Sequence, residues 1–468
     1  MKKKVVFIEP EGAPSNVFTR LMKIPLLGPL YLGTIAKENG FAVTILNENI
    51  LKRHVSDPEL EQADILCLSC ITATINRGKT IAARYRDVRS RLDLRSKVII
   101  GGIHASMLPE DVASHGDHIV VGEAEDIIVD VLNGAFKDQL IYSQPVENLN
   151  QLPIPDYSLI QGWKTMNVIP VMTSRGCPYN CNFCSVTEMF GHKYRWQSAQ
   201  RVFDELIRIP SHVPTVFFTD DHFTANANRT EELLNLMMKK GFKKRWNAQV
   251  RTEISKNPEL VATMRKAGCR MVFVGFESIN PQSLVSMHKN QSIEDITRTV
   301  KVFKKNDICV HGMFMLGNDP DTTEVFSTTT KFCKKTGIDT VQYTILTPLP
   351  GTKLFGEFVK QDRLLHTDWN FYDGLHVVFK PRNMTALQLQ EGMVECFRQF
   401  YHYTNACNDA FNTLYQSAAA LVKKMYKNAH FPSMMPMMMK ILGKGVVSDW
   451  IARNRSYMKY LHMLSTKD

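Results

Sequence analysis

Three cysteines set the first constraint on chemistry. The segment Arg175-Gly176-Cys177-Pro178-Tyr179-Asn180-Cys181-Asn182-Phe183-Cys184 spaces its thiols as Cys-x3-Cys-x2-Cys, directly after the apolar run Val168–Thr173. Three thiolates on a short glycine-containing loop suit an iron–sulfur cluster. A structural zinc site wants a fourth ligand close by, and the next candidates are only Glu188 and His192. Three protein ligands on a four-iron cube leave one iron open, and an open metal position can take a substrate. The remaining cysteines carry no such pattern. Cys67 and Cys70 form a Cys-x-x-Cys on a predicted strand, where the side-chain period of two sends them to opposite faces, so they read as core. Cys269, Cys309, Cys333, Cys396 and Cys407 are scattered and read mostly as core as well.

The elements that would position this loop follow from hydrophobic periodicity. Residues 168–375 alternate strand candidates with helical patterns: Val168–Thr173, Thr215–Thr219, Trp246–Val250, Met271–Gly275, Val310–Leu316 and Thr340–Leu346. Six strand–helix repeats suggest a partial (β/α)6 barrel, since a full eight-fold barrel usually needs ~250 residues. Its active residues should sit at strand carboxyl ends. Residues 1–140 show a second alternation, with strands at Val5–Ile8, Phe41–Leu46, Asp64–Ser69, Lys97–Ile100 and Ile119–Val121, and helices at Gly28–Asn39, Arg77–Arg91 and Asp126–Leu132. That pattern predicts a doubly wound parallel sheet whose ligand lies beyond the strands' carboxyl ends. Pro145, Pro153 and Pro155 mark residues 141–167 as a linker, and residues 376–468 read as a helical region.

Composition bounds the rest. The 468 residues are 44% hydrophobic and 22% charged, which fits a globular chain of two or three domains and excludes wholesale disorder. No apolar run reaches the roughly 18–20 residues needed to span a bilayer. The apolar run after the basic start ends at Glu9, about half of a signal-peptide core, so a cytoplasmic location is expected. Fifty-seven Lys and Arg against 46 Asp and Glu give a net charge of +11, compatible with nucleic acid, an anionic surface, an anionic substrate or no specific partner. Near the end, Met434, Met435, Met437, Met438 and Met439 cluster beside Phe431 and Pro432 among lysines. Such a stretch reads as a flexible packing element; the alternative is an apolar face for a greasy substrate or a membrane surface.

With the cysteine motif and its strand in place, residues 168–370 resemble the radical S-adenosylmethionine (radical SAM) superfamily. The resemblance makes Cys177, Cys181 and Cys184 the ligands of a [4Fe–4S] cluster. It implies that SAM chelates the open iron and, on one-electron reduction, splits to methionine and a 5′-deoxyadenosyl radical that takes hydrogen from an unreactive carbon. Phe183 matches the aromatic position that helps seat the adenine. Asp220 and Asp221 follow the second barrel strand, near the expected SAM amino group. Arg251 follows the third strand, and Glu277 matches the fourth-strand acid near SAM. For each of these acids the alternative is an ordinary solvated loop carboxylate. Gly317-Asn318-Asp319-Pro320-Asp321-Thr322 stands where relatives carry a Gly-x-Pro-Gly-Glu-Thr turn and departs from it, with no second glycine.

A parallel sheet ahead of such a barrel resembles the cobalamin-binding branch of the superfamily. Gly101-Gly102-Ile103-His104 and Val121-Gly122-Glu123-Ala124-Glu125 match segments that recur there, and glycines at 101, 102 and 122 would let backbone approach a bulky flat ligand. The cobalt-ligating Asp-x-His-x-x-Gly motif is absent, and residues 9–18 hold no histidine. His104 reads as a turn residue in preference to a cobalt ligand. The expectation is a cobalamin-dependent enzyme methylating an unactivated carbon of a lipid or tetrapyrrole-like substrate, fed by a flavodoxin- or ferredoxin-type electron donor, with no nucleic acid partner. The alternatives are a cyclase or oxidoreductase with a non-methylating or vestigial cobalamin domain, an RNA-modifying methylthiotransferase-like enzyme, or an electron carrier or regulator. The RNA-modifying enzyme would carry a second cysteine triad, which Cys67 and Cys70 do not make.

Overall fold

The computed structural model describes residues 2–14, 24–402 and 445–466. The methionine cluster, Cys407 and part of the loop after the first strand lie outside the described residues. The chain forms two compact units, one comprising residues up to 223 with 228–244 and 347–373, the other comprising 224–227, 245–346 and 374 onward.

The first unit opens with a sheet of six parallel strands: β1 (Lys4–Glu9), β2 (Ala42–Asn47), β3 (Ile65–Ser69), β4 (Val98–Gly101), β5 (His118–Val121) and β6 (Leu140–Tyr142). Its order is β2-β1-β3-β4-β5-β6. The runs Val5–Ile8 and Ile65–Leu68 are buried without interruption, because helices cover both faces of a parallel sheet. Helices Leu27–Glu38 and Ile75–Arg91 supply part of that cover. The chain reverses direction across the sheet between β1 and β3, and such a switch point opens a crevice at the strands' carboxyl ends.

The segment after β6, expected as a linker over 141–167, packs against the rest of the first unit. Three single-turn 3-10 helices, Leu149–Gln151, Tyr157–Leu159 and Trp163–Thr165, lie along it. Val146, Leu149 and Leu152 share a buried cluster with Tyr31 and Met172. Tyr157 donates a hydrogen bond to the Pro170 carbonyl at 2.6 Å, and Lys37 pairs with Asp156 at 2.6 Å. The prolines leave no long helix, and the segment lies as a packed strap.

The same unit continues with β7 (Val168–Val171), the two-residue strands β8 (Ser174–Arg175) and β9 (Arg195–Trp196), and β10 (Thr215–Phe218), which pairs in parallel with β7. In the second unit β11 (Arg245–Val250), β12 (Cys269–Glu277), β13 (Cys309–Leu316) and β14 (Thr340–Ile345) pair in parallel, each with its successor in the chain. Helices Pro258–Lys266, Ile293–Lys305 and Glu324–Thr336 connect them. The strand–helix alternation expected for the barrel is therefore present in chain order. Among the described residues of the expected helical region are the helices Ala386–Phe400 and Arg455–Ser465. His376 is buried there, 2.6 Å from Asn454 and edge-on to Tyr457. Among the described residues no helix is long and apolar enough to cross a membrane.

Candidate cofactor sites

The cysteine loop hangs from a short neck. Strands β8 and β9 pair antiparallel, with Ser174 opposite Trp196 and Arg175 opposite Arg195, and residues 176–194 form the loop between them. Gly176 holds φ at +83°, and a Cβ there would collide with the Lys193 carbonyl oxygen and lie 3.0 Å from that of Gly191. Cys177 N–H donates to the Gly191 carbonyl at 3.3 Å, and Cys184 N–H to the Cys181 carbonyl at 3.2 Å. From residues 347–373, Leu354 N–H donates to the Asn182 carbonyl at 3.1 Å and Lys353 Nζ to Asn180 Oδ1 at 2.8 Å. The loop is thus held at both ends and along its outer edge. Gly176→Ala should cost about 1–2 kcal/mol for the left-handed backbone alone and lower the iron bound per chain after reconstitution. Normal iron loading with an unchanged melting temperature would count against a built cluster loop.

Cys177, Cys181 and Cys184 are all half-buried. Burial pushes the Cys184 thiol up to about 12, and the charges of Asp221, Cys181 and Cys177 push in the same direction, which places these groups near one another. A thiol so placed resists ionisation alone and welcomes a cation, whose charge reverses the balance. Among the described residues no three His, Cys, Asp or Glu side chains converge on a single ion. A cube of four irons asks for something else, one thiolate for each of three irons, and the donor set fits that group. Phe183 is half-buried one residue before Cys184.

The two aspartates after β10 do different work. Asp220 is buried and turned towards the chain: its Oδ1 accepts from Thr173 N–H at 3.0 Å, from Thr173 Oγ1 at 2.9 Å and from Ser174 Oγ. It anchors the approach to the cysteine loop. Asp221 is exposed into a concavity, where desolvation and the neighbouring Asp220 push its carboxyl up to about 7.

In the second unit Arg251 follows β11 and pairs with Glu253 at 3.2 Å. Glu277 closes β12 in the left-handed region, φ +58°, with its carboxylate 2.7 Å from the buried Lys289. Thr252 donates to Gln291 Oε1 at 3.1 Å, and Gln291 donates to the Phe276 carbonyl, so the ends of β11 and β12 are joined. A non-glycine residue in this backbone region is a strain that surrounding structure must enforce. Lys289 was not legible as a site residue: it lies 12 positions from its partner, outside any motif. The departing turn is closed by Asp321, whose Oδ2 accepts from Gly317 N–H at 3.1 Å and Asn318 N–H at 3.0 Å.

The first unit holds a cavity of ≈ 460 Å³ at the β1–β3 switch point. Phe7, Leu68, Ile99 and Val120 bring strand ends to its wall, and Leu26 and Leu27 close another side. Gly101, Gly102, Gly122, Cys70 and Asp221 also line it. The glycines divide into two kinds. Gly102 (φ +93°) and Gly122 (φ +97°) are required by the chain, since a Cβ would lie 2.6 Å from the Cys70 carbonyl oxygen and 2.9 Å from Ser143 Oγ respectively. Gly101 has no positive φ, and its Cβ would meet only the Val120 carbonyl oxygen, at 3.8 Å. Gly28, in the first turn of a helix and also in the wall, would meet nothing within 4 Å. Sequence reasoning passed over Gly28, although a glycine there costs a helix about 0.5–1 kcal/mol relative to alanine. Two glycines that neither backbone nor packing demands form a cradle that side chains would fill, and apolar walls around it suit a large flat cofactor.

His104 does not line this cavity. It is buried in the helix Ile103–Met107, 3.0 Å from Asp111 and 3.3 Å from Thr72, with its ring edge-on to Trp369. Cys67 and Cys70 are both buried, burial raises both thiols, and no third cysteine joins them among the described residues.

Comparison with known proteins agrees with this division of labour. The radical SAM superfamily model matches residues 171–333, and the B12 binding domain model matches residues 16–132. Residues 171–333 thus carry a radical SAM domain and residues 16–132 a B12-binding domain, the pairing that the resemblance implied, and the groups such domains take are a [4Fe–4S] cluster with SAM, and cobalamin. It is 27% identical to bacteriochlorophyllide d C-12(1)-methyltransferase of Chlorobaculum tepidum, over 86% of this chain and 88% of that one. It is 27% identical to the hopanoid C-2 methylase of Rhodopseudomonas palustris, over 70% and 63%. Among solved structures, the cobalamin-dependent S-adenosylmethionine radical enzyme OxsB with aqua-cobalamin and SAM bound matches with a TM-score of 0.68 at 14% identity, covering 100% of this chain and 80% of that one. TsrM from Kitasatospora setae, with cobalamin and a [4Fe–4S] cluster bound, matches at 0.60 and 15%, covering 77% and 75%. At these identities the structures establish the fold.

Proposed function

We propose that the chain transfers methyl groups to an unactivated carbon of an apolar small molecule, lipid or tetrapyrrole-like. The observation that carries this reading is the wall of the cavity: it is built from the strand ends of the N-terminal sheet and from Met172, Ser174 and Arg175, which lead into the cysteine loop. Bound in this chain, the cluster, SAM and cobalamin would supply one-electron cleavage of SAM and a transferable methyl group. The residues' own tasks are distinct. Cys177, Cys181 and Cys184 offer thiolates, Gly28 and Gly101 leave room beside the strand ends, and Asp220 holds the neck of the loop. Residues 1–140 act as the cobalamin module, 141–167 as its strap, 168–375 as the catalytic core and 376–468 as a helical addition. A flavodoxin- or ferredoxin-type donor supplies the electron, and the enzyme works in the cytoplasm.

A second reading is ring closure without net methylation. It is favoured by 25% identity to an anaerobic magnesium-protoporphyrin IX monomethyl ester cyclase of Cereibacter sphaeroides, over 73% of this chain and 60% of that one. Anaerobic reconstitution with iron, sulfide and cobalamin separates the two when followed by incubation with SAM, reductant and lipid or tetrapyrrole candidates. About four irons and one cobalt per chain, with a product heavier by one methylene, is the expected result. Iron without cobalt, or a product lighter by hydrogen, would replace methyl transfer with ring closure or oxidation.

A further inference from the structure

Arg175 and Arg195 face each other across the two-residue ladder that closes the cysteine loop. Like charges directly opposite on a sheet repel, and both side chains are buried. The charge that reconciles them comes from the turn after β5, about fifty residues earlier in the chain. Arg175 Nη1 donates to Glu123 Oε2 at 2.6 Å. Arg195 forks onto the same carboxylate, Nη1 to Oε2 at 3.1 Å and Nη2 to Oε1. Arg175 completes its set with Glu125 and with the sulfur of Met172 at 3.1 Å. Burial alone would raise Glu123, but the Arg195 hydrogen bond and the Arg175 charge outweigh it and hold the carboxyl below its usual range.

Buried ion pairs seldom add net stability, because desolvating the charges offsets their attraction; their best-attested use is to fix register. Here the register is that of the cluster loop against the cavity. Gly122, Glu123, Glu125 and Arg175 are all in the cavity wall. Whatever fills the cavity therefore touches the turn that neutralises the neck.

We propose that Glu123 is a positioning residue that couples the two cofactor sites: cobalamin in the cavity orders the turn after β5, and through the Glu123 bridge to Arg175 and Arg195 it holds the cysteine loop closed on its cluster. This rests on the proposed occupancy of the cavity by cobalamin. Coupling between sites is reciprocal, and ordinary couplings change affinity by about 5–150-fold.

The test needs no substrate. Anaerobically reconstituted full-length protein, with and without hydroxocobalamin, is challenged with a ferrous chelator and the rate of cluster loss is followed. In the wild-type chain cobalamin should slow the loss at least about fivefold. In Glu123→Gln, which keeps the shape and removes the charge, the protection should shrink to less than about twofold, the floor of that range having been lost. A purely structural role for Glu123 would speed loss equally with and without cobalamin and leave the ratio unchanged, which overturns the proposal. Should Glu123→Gln fail to fold, Glu125→Gln removes one arm of Arg175 while leaving the Glu123 bridge. Protection reduced part of the way supports the coupling, and protection equal to wild type overturns it. A wild-type chain that binds no cobalamin removes the proposed function and the coupling together; cobalamin bound with equal protection in all variants removes the coupling alone.

Discussion

Cys181→Ala is expected to give a folded protein without a cluster: the visible absorbance of the iron–sulfur centre and reductive SAM cleavage are both lost, while the thermal transition stays close to that of the metal-free wild type. The side chain is half-buried on a loop, and the loop's backbone is held by groups the substitution leaves alone, the Gly191, Cys181 and Asn182 carbonyls and the β8–β9 ladder. Exchanges away from core packing usually stay within about 0.5 kcal/mol. The chemistry has no such tolerance, since losing one of three thiolates removes the ligand of one iron. Cys269→Ala provides the contrast. That thiol is buried in β12, so its removal should lower stability by about 1 kcal/mol or more and leave the iron content unchanged. A Cys181→Ala protein that still cleaves SAM would end the assignment of the loop as the cluster site.

What could be read from sequence and what could not divide along one physical line. Val5–Ile8 announces a central parallel strand because both faces are covered, and a fully apolar run has few other uses in a chain of this composition. The cysteine spacing is legible because all three ligands come from one loop, so that sequence distance approximates spatial distance. Glu123 and Arg175 fail that condition, being 52 residues apart, as do Lys289 and Glu277, where only the fold reveals the pair. The packing of the linker over 141–167 is hidden from sequence for the same reason: its prolines speak about local conformation, while its burial is decided by Tyr31 and Met172 elsewhere in the chain. The glycines show a subtler limit. A Gly-Gly pair signals that side chains are unwelcome but not why. Gly102 answers to the Cys70 backbone, and Gly101 answers to open space. Asp220 and Asp221 are adjacent and chemically identical, yet one is committed to Thr173 and Ser174 and the other lines the cavity.

That difference between the two glycines supports the second large effect. Gly101→Val should fold as well as the wild type or slightly better and should lose cobalamin. Gly101 ends β4 in register with Ser69, its φ is not positive, and the added Cβ meets no protein atom closer than 3.8 Å. A β-branched residue suits that position, and replacing glycine removes about 0.5–1 kcal/mol of unfolded-state entropy. The space the valine enters is the cavity that Gly101 lines, so the substitution subtracts volume from the ligand and not from the protein. Cobalamin retained after gel filtration should fall at least tenfold, which corresponds to about 1.4 kcal/mol or more of lost binding, while iron per chain is unchanged. Gly102→Ala marks the opposite case. Its Cβ would sit 2.6 Å from the Cys70 carbonyl oxygen in a backbone region closed to alanine, so the fold should weaken and both cofactors should be lost together. If Gly101→Val kept its cobalamin, the flat face of the cofactor could not lie against the end of β4, and the cradle formed by Gly28 and Gly101 would have to belong to another ligand.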